Sequence, residues 1–460
     1  MSTEMEIPMQ ALSLTELARL LADGELSAVD VLDSYLEQIA TRNEAVNAVV
    51  SLDVEGARER AIEDDRALAA GQPIGPLHGV PMTLKDAHDV AGLRTTVGAP
   101  ELDRVATADG AIAARLRAAG ANLIGHTNVP AWLADYQSAN AIFGRTSNPW
   151  DVSRTCGGSS GGAAAAVAAE LTPAEIGSDL AGSLRQPAAF CGVYSLKPTE
   201  HLVPLTGFLR TPGPRPVRVM ASLGPIARSL NDLELLLSII AGPDGYDADV
   251  SPVPFEHRAD VAVRGMRLAV APTIPGAPIA GVLSDRVRAL GKGVVNAGGA
   301  VVEALPDVDW DTQLELFGDL LTMLTSDPRE QGLLGYLDLL HRRDAVVATW
   351  DAFFHEYDAL VMPAAATVAF PHCDAETFDV DGNQVPYHEQ GFLYAFSSLV
   401  GLPALTVPAG VDGDGVPVGL QLVGPRWSDA KLLAVARGLE AAGIAPGYRR
   451  PPVLDQGGGV

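Results

Sequence analysis

Cysteine is nearly missing from this sequence: Cys156, Cys191 and Cys373 are the whole complement in 460 residues. Three thiols cannot build a disulfide framework, and no CxxC pair offers a structural zinc site. Basic residues are scarce too, 32 Lys and Arg against 57 Asp and Glu, for a formal charge of −25. That balance repels phosphate backbones and anionic lipid, which argues against nucleic-acid and membrane partners. The longest apolar runs, near 163–169 and 235–241, fall far short of the ~20 residues that span a bilayer. The first residues, MSTEMEIPMQ, lack the basic-then-apolar layout of a secretory signal. The nine histidines show no HExxH or other paired ligand spacing, so no metal and no other cofactor is expected. Hydrophobic residues reach 47% and charged ones 19%, enough for a large core. The expectation is a soluble, cytoplasmic globular protein. No repeat, low-complexity tract or linker divides it, so one domain over 1–460 is expected, with a frayed tail over 451–460.

Capping signals organise the N-terminal part. Ser13 with Glu16 and Ser27 with Asp30 precede apolar positions at helical spacing and predict two helices separated at Gly24. A strand is expected over 45–52, a charged helix to about Ala70, and a short apolar strand ending at Lys85 after the Gly/Pro loop GQPIGPLHGVP. Helix-like 107–119 then leads into strand-like 121–126, with further strands at 267–271, 299–304, 358–362, 404–408 and 418–423. This rhythm predicts an α/β layered fold. The stretch 201–220, with Pro204, Pro212, Pro214 and Pro216, reads as a long loop.

The densest chemical signal is Cys156-Gly157-Gly158-Ser159-Ser160-Gly161-Gly162 before an Ala-rich helix. Such a loop lets backbone N–H groups approach a ligand closely. It is not a P-loop, since no Lys follows the last glycine, and its glycines do not fit GxGxxG. Gly157–Gly161 matches GxSxG literally, but that elbow needs a buried strand ahead of it, and SNPWDVSRT reads as a turn-rich loop. A second loop follows, Gly177-Ser178-Asp179-Leu180-Ala181-Gly182-Ser183-Leu184-Arg185, after a strand-like AEI. Consecutive N–H groups from Leu180 to Ser183 suit a developing oxyanion, and a serine beside them is a candidate nucleophile that needs a base. His78, His88 and His126 read as packing or hydrogen-bonding residues. Lys85, at the end of an apolar strand, is the remaining candidate base, because burial lowers an amine's pKa.

Together these residues resemble the amidase signature family of serine hydrolases. The likeness is carried by GPLHGVPMTLKD at 75–86, CGGSSGGAAAAVA at 156–168, GSDLAGSLRQPAAFCGVYSLKPT at 177–199 and GPIARSLNDLELLLSIIAGPD at 224–244. It extends back to about Ser27 and forward through 357–364 and 401–410, with 75–244 as the signature core. The resemblance implies a mixed central β-sheet flanked by helices on both faces. It implies Ser183 as nucleophile, Ser159 as a bridging serine in a cis peptide after Gly158, and Lys85 as general base. It further implies an oxyanion hole from the N–H groups of Leu180, Ala181, Gly182 and Ser183, with Gly158, Asp179 and Arg185 supporting the loops.

Several positions depart from the family pattern. Ala181 and Ser195 stand where glycine is common, His126 replaces a lysine frequent in glutamine-using relatives, and 310–356 lacks an arginine-rich run. The segment 128–151 instead resembles stand-alone amidases acting on aryl or bulky amides. The leading expectation is therefore a stand-alone hydrolase of C–N bonds in small-molecule amides, with carbamates or activated esters open, favouring apolar or aromatic substrates. The alternatives are the glutamine-hydrolysing component of an amidotransferase complex, and a non-catalytic binding protein on the same fold. Expected pocket walls are 201–220 and Leu316, Phe317, Leu320, Leu321 and Met323. Oligomeric state stays open.

Overall fold

The computed structural model describes residues 8–72, 75–209, 217, 219–326, 332–374 and 376–452. Pro212, Pro214, Pro216 and the tail from 453 lie outside these residues.

Both capping signals form. Ser13 and Glu16 make a reciprocal capping box on the helix Leu14–Ala22. The Ser27 side chain accepts from the Asp30 N–H at the start of Ala28–Val46. Between them Gly24 takes a left-handed turn, φ 70°. The strand expected from residue 45 begins later, at Val49–Leu52. Ala45 and Val46 stay helical because the chain turns at Asn47, which is left-handed. The Asn43 carboxamide then takes the N–H groups of Ala48 and Val49, supplying acceptors where the helix has ended.

The strand Pro81–Lys85 is buried along its whole length. It pairs in parallel with Asn122–Thr127, which pairs antiparallel with Val49–Leu52. An eight-stranded mixed sheet forms the larger layer. Its spatial order is Ala174–Asp179, Ser222–Ala227, Tyr194–Lys197, Ala404–Val411, Pro417–Val423, Ala359–Pro363, Arg267–Val270 and Ala300–Glu303. The last two junctions are parallel and the rest antiparallel. Helices flank this sheet, and one buried apolar cluster runs from Leu14 to Ala445. The expected mixed α/β architecture is the one found.

Two further details set the site. The stretch read as a turn-rich loop before Gly157 contains the strand Asp151–Thr155, paired with Ser147–Asn148. This ribbon lies outside the large sheet and is mostly solvent-accessible, so it is still not the buried strand a nucleophile elbow requires. The helix Arg185–Cys191 packs directly on the strand Pro417–Val423. A Cβ on Gly419 would sit 2.6 Å from the Ala189 Cα and 2.5 Å from its Cβ. Gly419→Ala is therefore expected to push the helix off the sheet and cost about 1–3 kcal/mol, read from urea unfolding; an unchanged midpoint would show that the helix shifts freely.

Candidate active site

Lys85 ends its strand inside the protein, with no exposed surface. Its Nζ donates to three hydroxyls: Ser159 Oγ at 2.7 Å, Ser160 Oγ at 2.8 Å and Ser178 Oγ at 2.9 Å. Burial pulls the amine down to about 7, against a smaller upward pull from Asp179 and Glu175. Hydroxyls stabilise an ammonium far less than a carboxylate contact would, so desolvation prevails. Glu175, also fully buried, accepts from Thr127 Oγ1 at 2.7 Å, and burial pushes its carboxyl up to about 8.

The glycine-serine loop reaches this amine because backbone can pack where side chains cannot. The peptide between Gly158 and Ser159 is cis. A Cβ on Gly158 would lie 2.4 Å from the Asp135 carbonyl oxygen, and one on Gly162 would lie 2.4 Å from both N and O of Asn128. Ser160 is the N-cap of the buried helix Gly161–Ala168, but its side chain caps nothing. Its hydroxyl instead accepts from Lys85 and donates to the Ser178 carbonyl at 3.2 Å.

The strand Ala174–Asp179 delivers two side chains in opposite directions, as a pleat requires. Ser178 turns to Lys85, and Asp179 turns to Arg185. The Asp179 carboxylate takes the N–H groups of Gly182 at 2.8 Å and Leu184 at 3.0 Å. It also takes Arg185 Nε at 3.0 Å and Nη2 at 2.7 Å. Both side chains of this ion pair have 0% exposure. Burial drives the Asp179 carboxyl up, but the Arg185 charge and these hydrogen bonds outweigh it and leave the group at about 2. Arg185 is tied further to Ser397 Oγ and Ser398 Oγ, at 2.6 and 2.8 Å.

The expected oxyanion hole needs one correction. Gly182 offers no free N–H, because Asp179 already holds it. Among the described residues, no acceptor takes the N–H groups of Leu180, Ala181 or Ser183, and none bonds the Ser183 hydroxyl. Ser183 is half-buried and lines a cavity of about 390 Å³ together with Ser159, Ser178, Leu180 and Ala181.

The cavity walls are largely apolar: Trp132, Leu133, Tyr136, Leu205, Phe208, Leu209, Val217, Leu223 and Leu321 among them. Of the five residues expected from the helix Trp310–Thr325, only Leu321 is among the wall residues. Leu316, Phe317 and Leu320 are core, and Met323 packs against that core, since the helix turns one face to each side. The expected 201–220 wall is found at Leu205, Phe208, Leu209 and Val217, and 210–216 and 218 lie outside the described residues. A larger cleft of about 560 Å³, beside Phe255 and Trp427, shares no residue with this cavity. His78, His88 and His126 are buried and bond to backbone carbonyls.

The sequence reading missed Ser160, Ser178 and Tyr136. The signal for the two serines was present: each is next to a residue already singled out, in loops that converge on one lysine.

The chain is similar to known proteins over most of its length. A family model described as Amidase matches residues 30–309 and 301–433. The chain is 34% identical over 464 residues to an acylamidase of Rhodococcus erythropolis, covering 94% of this chain and 95% of that one. It is 31% identical over 490 residues to a glutamyl-tRNA(Gln) amidotransferase subunit of Thermosynechococcus vestitus, covering 95% and 99%. The fold is similar to that of a bacterial aryl acylamidase of the amidase signature enzymes, with a TM-score of 0.84, 23% identity, and 99% and 100% of the two chains covered.

The Asp179–Arg185 pair generates a stability prediction. Arg185→Leu strands a buried carboxylate and is expected to cost about 3–5 kcal/mol at pH 7, measured by urea unfolding. The folded carboxyl titrates below its ordinary 3.8, so the pair's contribution is complete above that pH and is lost as pH falls toward about 2. The stranded carboxyl of the variant is raised by burial, so the gap between wild type and variant should begin to narrow above pH 3.8 and go on narrowing as pH falls toward about 2.

Proposed function

The chain belongs to the amidase family, and on that premise we propose that it is a stand-alone hydrolase of amide C–N bonds that favours neutral apolar or aromatic substrates. The observation that carries this reading is the buried Lys85 amine 2.7 Å from Ser159 Oγ, beneath a cavity that Ser183 lines.

Ser183 attacks the substrate carbonyl. Its proton passes to Ser159, whose own proton goes to neutral Lys85. The N–H groups of Leu180, Ala181 and Ser183 hold the tetrahedral oxyanion. The lysinium then returns a proton through Ser159 to the departing amine. That leaves an acyl-enzyme on Ser183, which water hydrolyses by the reverse relay. The Ser183–Ser159 hydrogen bond belongs to the substrate complex, where catalytic contacts tighten. Carbamates and activated esters pass through similar oxyanions and fall within the same machinery.

Substrate preference rests on the walls. The described residues lining the cavity include no Lys or Arg, so none of them pairs with the α-carboxylate of free glutamine. The second reading, a glutamine-hydrolysing component of a larger assembly, is favoured by the likeness to the amidotransferase protein of Thermosynechococcus vestitus.

Three measurements test the proposal. Ser183→Ala should abolish covalent labelling by a fluorophosphonate and lower hydrolysis by about 10³-fold or more; normal turnover by the folded variant would refute the nucleophile. An anilide should exceed glutamine in kcat/KM, whereas comparable values would favour the second reading. Because burial holds Lys85 at about 7, its neutral fraction grows as pH rises. The wild-type kcat/KM should therefore climb through an apparent pKa near 7 and then level; a climb continuing toward the free-lysine range of ~10.4 would show that burial does not lower the amine, and a rate that does not rise with pH at all would exclude Lys85 as base.

A further inference from the structure

The peptide unit joining Ala181 to Gly182 is held at both of its polar ends. Its N–H, on Gly182, donates to Asp179 Oδ1 at 2.8 Å. Its carbonyl, on Ala181, accepts from the Tyr136 hydroxyl at 3.0 Å. The peptides on either side carry the N–H groups of Ala181 and Ser183, which no described residue takes. A doubly held unit thus sits between two free donors.

Local sterics would not hold it there. Gly182 has φ 103° and no Cβ, so turning the unit over about the Ala181 ψ and Gly182 φ meets little resistance from the residue itself. A Cβ at 182 would fall 2.2 Å from the Tyr394 ring, so glycine is required there and brings this freedom with it. A turned-over unit would swing the Ala181 carbonyl oxygen toward the donors and set a negative dipole against the developing oxyanion. Asp179 restrains one end, and it also bonds Leu184 and Arg185. Tyr136 is the restraint on the carbonyl end.

The surroundings of Tyr136 fit that task. Gly391 makes room for the phenol, since a Cβ there would stand 2.7 Å from the phenol oxygen. The backbone of 135–137 also packs on Gly158, ahead of Ser159, so one short segment touches both loops of the site.

Resting on the hydrolase reading above, we infer that Tyr136 is a positioning residue for oxyanion stabilisation: its hydroxyl fixes the Ala181–Gly182 peptide so that the flanking N–H groups stay available to the reacting oxygen.

Tyr136→Phe tests this, because it keeps the ring in the cavity wall and removes only the hydroxyl. With an anilide substrate, kcat should fall about 10–100-fold, with KM within about twofold. A phenylalkyl trifluoromethyl ketone supplies the second readout. Ser183 Oγ adds to its carbonyl carbon, the π electrons move to oxygen, and the proton leaves through Ser159 to Lys85. Its inhibition constant should weaken in parallel with kcat/KM. The corresponding secondary alcohol forms no oxyanion and should bind both proteins equally. Gly391→Ala, which displaces the phenol without altering the ring, should show the same pattern. An unchanged kcat in Tyr136→Phe, or equal weakening of ketone and alcohol, overturns the positioning role. A wild-type enzyme that the ketone does not inhibit overturns the hydrolase reading instead.

Discussion

An amine enclosed by protein must either find a counter-charge or surrender its proton. Among the described residues, Lys85 meets three serine hydroxyls and no carboxylate. Desolvation then brings the amine into the range where it is neutral near physiological pH, and a neutral amine can accept a proton from a hydroxyl. The surrounding structure follows from that enclosure. The strand Pro81–Lys85 is buried end to end. The helix behind the serines is alanine and glycine apart from one valine, and the loop between them is glycine-rich because backbone must pass where a Cβ would collide.

The neighbouring charge is handled in the opposite way. Asp179 is as deeply buried as Lys85, yet it stays ionised because a guanidinium and several N–H groups converge on it. Strand pleating separates the two environments by a single residue: Ser178 serves the neutral amine and Asp179 the ion pair. One β-strand end therefore carries a partner of the buried amine on one face and a rigid anionic anchor on the other. The anchor shapes the 180–185 loop, including which of its N–H groups remain free.

Much of this was legible along the chain. The caps at Ser13 and Ser27 compete for orphan N–H groups within three residues, so local sequence contains the whole interaction. The apolar strand into Lys85 and the Gly-Ser loop were readable for the same reason: each is a short-range pattern with one structural solution. Resemblance to a family joined Lys85, Ser159 and Ser183 into a constellation that no local rule connects. The turn at Asn47 shows the limit, because the helix runs past the point where apolar periodicity alone suggested a strand. So does the ribbon at Asp151–Thr155, whose pairing partner had no strong signal of its own.

The sequence by itself determined that an amine, several hydroxyls and a run of small residues would be available, and in what order, because composition and local backbone preference are properties of neighbours along the chain. Tertiary structure alone decided which hydroxyls the amine meets. Ser160 and Ser178 join Ser159 only when a helix N-terminus and a strand end are packed onto Lys85. It also decided that the Gly182 N–H is spent on Asp179, and that a tyrosine some forty-five positions away reaches the Ala181 carbonyl. Hydrogen-bond partners and desolvation depend on what lies within a few ångströms in space, and separation along the chain does not encode that distance.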